Sequence, residues 1–177
     1  DEIAAFLTST DQTLQPDRVL ATVLCARIDQ GPAAASAGDF EAHVRSEIGW
    51  FRGRGLTSTS GGFFAAFDGP ARAIACARAL AGAAPRFGRS GHFGLHTGEC
   101  DLTAEGRVAG PAYERARAVC EHAAAGEVLV SRTVTDLVAG SGVAFQERGT
   151  HRLERGGDLW HLFAATQGIA ARSHDAT

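Results

Sequence analysis

Few side chains in this sequence combine a reactive type with a useful spacing. Glu99, Asp101 and Glu105 lie close together and could surround a hard divalent cation, which takes oxygen ligands. In their Gly- and Thr-containing context they read instead as a solvated turn. Cys25, Cys76, Cys100 and Cys120 show neither CxxC nor Cys/His spacing, so buried thiols on separate elements are expected, not a zinc site or a disulfide framework. The run STSGG at 58–62 has the Ser and Gly content of a phosphate loop. No helix follows it to offer an N-terminus to an anion, and a hairpin turn accounts for it better. His96 is expected to be structural, and no GxSxG or Ser/His/Asp constellation is visible. All seventeen basic residues are Arg, and the chain contains no Lys, Met or Asn, so chemistry that requires Lys or Asn cannot come from this chain.

The elements that would position these groups follow from the apolar pattern. The run RVLATVLCARI at 18–28 is β-branched and nearly continuously apolar, as a strand covered on both faces must be, and Arg27 is out of character near its end. Phe40, Val44, Ile48 and Phe51 recur at helical spacing after a cap at Asp39. Residues 55–67 read as two short strands around Gly61-Gly62. Pro70 opens a helix with Ile74, Ala77, Leu80 and Ala81 on one arc, closed near Gly82 and Pro85. A strand at 90–100, a helix at 111–125 and a buried strand at 126–131 follow, and Ser131 is placed to cap a short helix at 132–138. Three short strands, split by Gly149 and Gly156-Gly157, are expected over 143–165. Residues 1–17 read as a linker from a preceding domain, 18–167 as one domain and 168–177 as a disordered tail. Mixed strands and helices without a strict βαβ repeat make the fold class α+β.

A chain of 177 residues with 45% hydrophobic composition supports one core. A net charge of −3 with interspersed signs argues against a nucleic-acid surface. No apolar run approaches twenty residues and no signal-peptide pattern opens the chain, so neither a membrane span nor secretion is expected, and a cytoplasmic location is.

Taken in order, RVLATVLCARID, FRGRGLTSTSGGFFAAFDGPARAIACARAL, GHFGLHTGECD, GEVLVSRTVTDLV and FQERGTHRLERGGDLWHLF resemble the class III nucleotidyl (adenylate/guanylate) cyclase catalytic domain. The resemblance implies a ferredoxin-like βαββαβ core with extra C-terminal strands. It also implies head-to-tail pairing of two such domains, with nucleotide sites at their interface. The family chemistry is metal-assisted phosphoryl transfer, in which two Asp residues hold the divalent ions. Those positions are Arg27, where the family has a pattern like LFTDIVGST, and Gly61, where it has GDG. The base-selecting positions are Thr57 and Arg107, and the transition-state Asn and Arg positions are Glu114 and Ala118. Slippage of the match by two residues would put Asp29 at the first metal position, and Arg117 could stand in for the helix Arg. Its spacing from Glu114 and Glu121 suggests surface ion pairs instead. The phosphate loop after Arg27 is also short by about ten residues, or three helical turns, and Pro32 removes a backbone donor from it.

On this resemblance the chain is expected to be a catalytically degenerate cyclase homology domain acting in dimerisation or regulation. No cofactor is expected, and Mg or Mn only if the domain is active. The expected partners are a second copy of the chain, or an active cyclase domain in a heterodimer, and a covalently attached N-terminal domain. Two other readings are kept: an active cyclase completed by a complementary chain, and a metal-free anion pocket at the dimer interface formed by Arg27, Arg107 and Thr57.

Overall fold

A computed structural model of the chain describes residues 17–31, 37–155 and 157–166. Of the expected linker at 1–17, residues 1–16 lie outside the described residues, as do Pro32 and the expected tail at 168–177, while Asp17 already belongs to the first strand. The elements run β1 (Asp17–Asp29), α1 (Ala37–Trp50), β2 (Arg54–Thr59), β3 (Gly62–Phe67), α2 (Pro70–Ala83), a 3-10 turn (Ala84–Phe87), β4 (Ser90–Leu102), β5 (Val108–Ala109), α3 (Pro111–Glu121), β6 (Val128–Ser131), α4 (Arg132–Leu137), β7 (Phe145–Arg152) and β8 (Leu159–Ala165). One eight-stranded sheet has the order β2-β3-β1-β4-β6-β8-β7, with β5 paired to β4. The first four strands with α1 and α2 form the ferredoxin-like βαββαβ core, and the rest extends that sheet. The α+β class expected from the sequence is the class observed.

The apolar run of β1 is central because its neighbours β3 and β4 both pair with it antiparallel. Residues 21–26 are all buried, and their alternation feeds two cores. Leu24 and Ala26 point to the face covered by α1 and α2, with Phe63, Phe67, Phe93, Ile74 and Leu80. Ala21, Val23 and Cys25 point to the opposite face with Phe64, Ala66 and α3 residues Ala112, Ala116 and Cys120. Full burial of Phe67 and Phe93 contributes about 2–3 kcal/mol each. Phe40, Val44 and Ile48 form the buried stripe of α1, as their spacing predicts.

Four local expectations are corrected. The hairpin turns at Ser60-Gly61, because Gly62 already pairs with Thr59. The last strands are two, not three: Gly149, at φ 77°, sits in a bulge between Glu147 and Thr150, so β7 continues through it. The helix opened by Pro111 ends at Glu121, with 122–125 outside it. Ser131 occupies the N-cap of α4 but makes no capping bond. Its hydroxyl meets His96 Nδ1 at 2.7 Å, so a core polar group takes the oxygen that a cap would have used.

Candidate functional site

The end of β1 is held against the hairpin by Ile28 N–H, which donates to the Gly61 carbonyl at 2.8 Å. Arg27 pairs across the sheet with Gly62 on one side and His92 on the other. Cys25 and Arg27 share the α3 face of β1, since alternate residues do. With Gly61, Phe64, Tyr113, Arg117, Cys120 and Glu121 they line a cleft of about 340 Å³. The Tyr113 ring lies on Phe64 at 4.2 Å between centroids and forms one wall. Burial, and then the neighbouring Glu114, push the Tyr113 phenol up.

The charges in the cleft are two guanidinium groups, Arg27 and Arg117, and one carboxylate, Glu121. Arg117 lies 3.9 Å from Glu114 and 4.0 Å from Glu121, the surface pairs that its helical spacing suggested. Among the described residues no carboxylate lies within ion-pair distance of Arg27. Asp29 is taken up elsewhere. His92 Nε2 lies 2.7 Å from Asp29 Oδ2 and its Nδ1 2.8 Å from the Ala123 carbonyl oxygen, while Ser90 Oγ donates to the same Asp29 oxygen at 3.1 Å. These bonds, the His92 one foremost, hold the Asp29 carboxyl below its usual range. This Ser-Asp-His grouping was not visible in the sequence, because it depends on the register that sets Asp29 opposite Ser90. It is not a nucleophilic triad, since Ser90 Oγ bonds the carboxylate and the two imidazole nitrogens face Asp29 and the Ala123 carbonyl, not the serine hydroxyl.

The two hairpin glycines differ in what they permit. A β-carbon on Gly62 would sit 1.8 Å from the Ala26 carbonyl oxygen, whereas one on Gly61 meets nothing within 4 Å. Glycine at 62 is required by packing, and at 61 it is not.

Thr57 and Arg107 do not line this cleft. Thr57 Oγ1 donates to the Gly55 carbonyl at 2.9 Å, and Arg107 N–H donates to Thr103 Oγ1 at 3.0 Å within its own turn. Gly55 backs onto Gly106 and Val108, so these two positions share a different end of the sheet. Glu114 is exposed and Ala118 half-buried on α3. Sequence reasoning missed Tyr113, Cys120 and Glu121, although Tyr113, Arg117, Cys120 and Glu121 recur at helical spacing and so share one face of α3. A second cavity of about 190 Å³ lies between β1, α1 and the hairpin, where Arg89 stacks on Phe40 at 5.7 Å. Glu99 and Asp101 face Arg18 across the β1/β4 pair, at 3.8 and 3.0 Å.

The sequence matches no family model and no curated protein. Solved structures do match. The adenylyl cyclase CyaB from P. aeruginosa is similar over 88% of this chain and 97% of its own, with a TM-score of 0.76 and 14% identity. An adenylate/guanylate cyclase/hydrolase from Silicibacter pomeroyi is similar over 85% of this chain and 98% of its own, at a TM-score of 0.71 and 17% identity. A non-canonical dimeric guanylyl cyclase domain of the RhoGC fusion protein from Blastocladiella emersonii is similar over 84% and 97%, at 0.71 and 12%. With nearly the whole of each of those chains superposed on the sheet and helices described above, this chain has the fold of the class III adenylate/guanylate cyclase catalytic domain.

Proposed function

We propose that this domain is a pseudocyclase: it keeps the cyclase fold for dimerisation or for regulating an attached domain, and does not turn over nucleoside triphosphate. The observation that carries this is the charge of the cleft. Two divalent ions do not fit it. Arg27 and Gly61 stand where the resemblance places the carboxylate ligands, and the one carboxylate lining the cleft, Glu121, faces Arg117. A guanidinium repels an incoming cation, and phosphoryl transfer without its metal ions loses its main electrostatic stabilisation. Glu114 and Ala118 at the transition-state positions supply no cation either. A cyclase assay with manganese and ATP or GTP is expected to give no cyclic nucleotide above background. Product that disappears in Asp29→Ala would overturn the reading, because it would make Asp29 a working metal ligand. Product formed only on mixing with an active cyclase domain would favour the complemented-enzyme reading.

The same two guanidinium groups favour a second reading, a metal-free anion site, now resting on Arg27 and Arg117 with Arg107 and Thr57 outside it. An anion held there raises the melting temperature by mass action, and a melting screen of carboxylates and phosphates reads it.

For the partner, Arg27, whose guanidinium has no ion pair among the described residues, is the informative residue. In a head-to-tail pair Arg27 of one copy faces Glu114 of the other, and two symmetric ion pairs close the ancestral clefts. The B. emersonii domain, described as a non-canonical dimer in one structure and as monomeric in another, and as part of a fusion protein, supports an attached domain and shows that this fold occurs in both states. Sedimentation of wild type, Arg27→Ala, Glu114→Ala and the double variant is expected to show non-additive loss of dimer. A wild-type monomer at high concentration would rule this contact out.

A further inference from the structure

All four cysteines were expected on separate elements, where the structure places them, and the fold brings two of them, Cys25 and Cys120, together. Cys25 lies in the middle of β1 opposite Gly94 of β4, and cross-strand partners sit about 5 Å apart with their side-chain directions on one face. Gly94 is where α3 crosses the sheet: a β-carbon there would be 2.6 Å from the α-carbon of Cys120. One cross-strand step of about 5 Å and a roughly perpendicular step of about 4 Å up to the helix put the α-carbons of Cys25 and Cys120 on the order of 6 Å apart, inside the range that a disulfide spans. Cys120 Sγ donates to the His92 carbonyl at 3.2 Å and takes the Cys25 S–H as a donor. Both thiols are nearly buried, with 6% and 2% of their surface exposed, yet both line the cleft beneath Arg27. Cys76 and Cys100 do not line it.

We infer that Cys25 and Cys120 are an oxidisable pair, a modification site at which hydrogen peroxide entering by the Arg27 cleft closes a disulfide between β1 and α3. Cys120 reacts first. The Cys25 S–H donated to it holds its pKa below the ordinary thiol value; burial opposes this, and the backbone N–H and guanidinium of Arg27 add to it, while Cys25 is held up by its bond to Cys120 and by burial. A thiolate is the nucleophile in this chemistry. The Cys120 sulfur attacks one peroxide oxygen, the O–O bond breaks, and the leaving hydroxide with the proton released by Cys120 departs as water. The Cys25 sulfur then attacks the sulfenic sulfur: the S–S bond forms, the S–O bond breaks, and the hydroxide leaves as a second water with the proton from Cys25. Two thiols give up two electrons and the peroxide takes both.

The test uses wild-type protein, folded and reduced, treated with a small excess of hydrogen peroxide. The intact mass is expected to fall by about 2 Da, the change for one disulfide. Thiol counting after unfolding should find two of the four cysteines blocked, and a non-reducing peptide map should join Cys25 to Cys120. Dithiothreitol should reverse all three. Cys25→Ser should halt at a sulfenic acid on Cys120 that dimedone traps. The inference is overturned if all four thiols survive, if the bridge involves Cys76 or Cys100, if it joins two chains, or if oxygen is added to sulfur without a bridge. The wild-type map decides the matter even if the serine variant fails to fold.

Discussion

Gly94→Ala is expected to destabilise the domain by about 3 kcal/mol or more, the cost of forcing atoms into a packed core. The added carbon would stand 2.3 Å from Cys120 N, 2.6 Å from Cys120 Cα and 2.7 Å from the Ala116 carbonyl. All three are backbone atoms of α3, so no side chain can turn aside and the helix itself must rise. Lifting α3 opens the core in which Ala112, Ala116 and Cys120 meet Val23, Cys25 and Phe64. Gly98 lies on the same strand and face and is the control. A β-carbon there finds the Ala112 methyl at 3.6 Å and His96 Nε2 at 3.4 Å, ordinary contacts, so Gly98→Ala is expected within about 0.5 kcal/mol of wild type. Urea midpoints for the three proteins decide it. A Gly94→Ala unfolding free energy, from midpoint and slope, within about 1 kcal/mol of wild type would mean that α3 is not seated on Gly94 as described.

The second large effect is expected from acid. His96 is 8% exposed, meets Ser131 Oγ at 2.7 Å and packs edge-on to Trp160. Burial, and then the Arg115 cation, pull its pKa from 6.5 down to about 4. Below pH 6.5 the unfolded chain therefore takes up a proton that the folded chain refuses. Stability is fully present above that pH and is lost as the pH falls toward about 4. The loss should be about 2 kcal/mol between pH 7 and 5 and about 3 kcal/mol by pH 4. His122, lowered mainly by its burial and by His151, acts in the same direction. Asp29 contributes in the same direction too, but its held-down pKa places its loss at lower pH. Denaturation midpoints of wild type and His96→Gln at pH 7 and 5 isolate the His96 share, because the variant should keep only a shallow slope. An equal slope in both proteins, or a folded-state imidazole resonance of His96 titrating above pH 6, would refute the assignment.

The composition of single elements was legible because it reports on their immediate surroundings. A strand buried on both faces must be apolar throughout, so the run that became β1 announced its central place, and Arg27 stood out as the residue where cover ends. The α1 stripe and the hairpin were equally local. Five ordered segments resembling one family were enough to expect the ferredoxin-like core that the sheet order displays. Arg27 and Gly61, far apart in sequence, were expected at one site on that resemblance and do line one cleft, whereas Thr57 and Arg107 belong to another part of the surface.

What the sequence by itself determined, then, is the class of fold, the seat of the core strands and the absence of Lys and Asn from any chemistry this chain performs. Tertiary structure alone decided which distant groups meet. Cys25 reaches Cys120, Asp29 finds His92 and Ser90, and Ser131 gives its hydroxyl to His96 instead of to a helix end. Each of these contacts depends on a strand register or on the height at which a helix sits over the sheet. Such quantities are fixed by the packing of many side chains at once, and a shift of one residue would turn each of these groups to the other face.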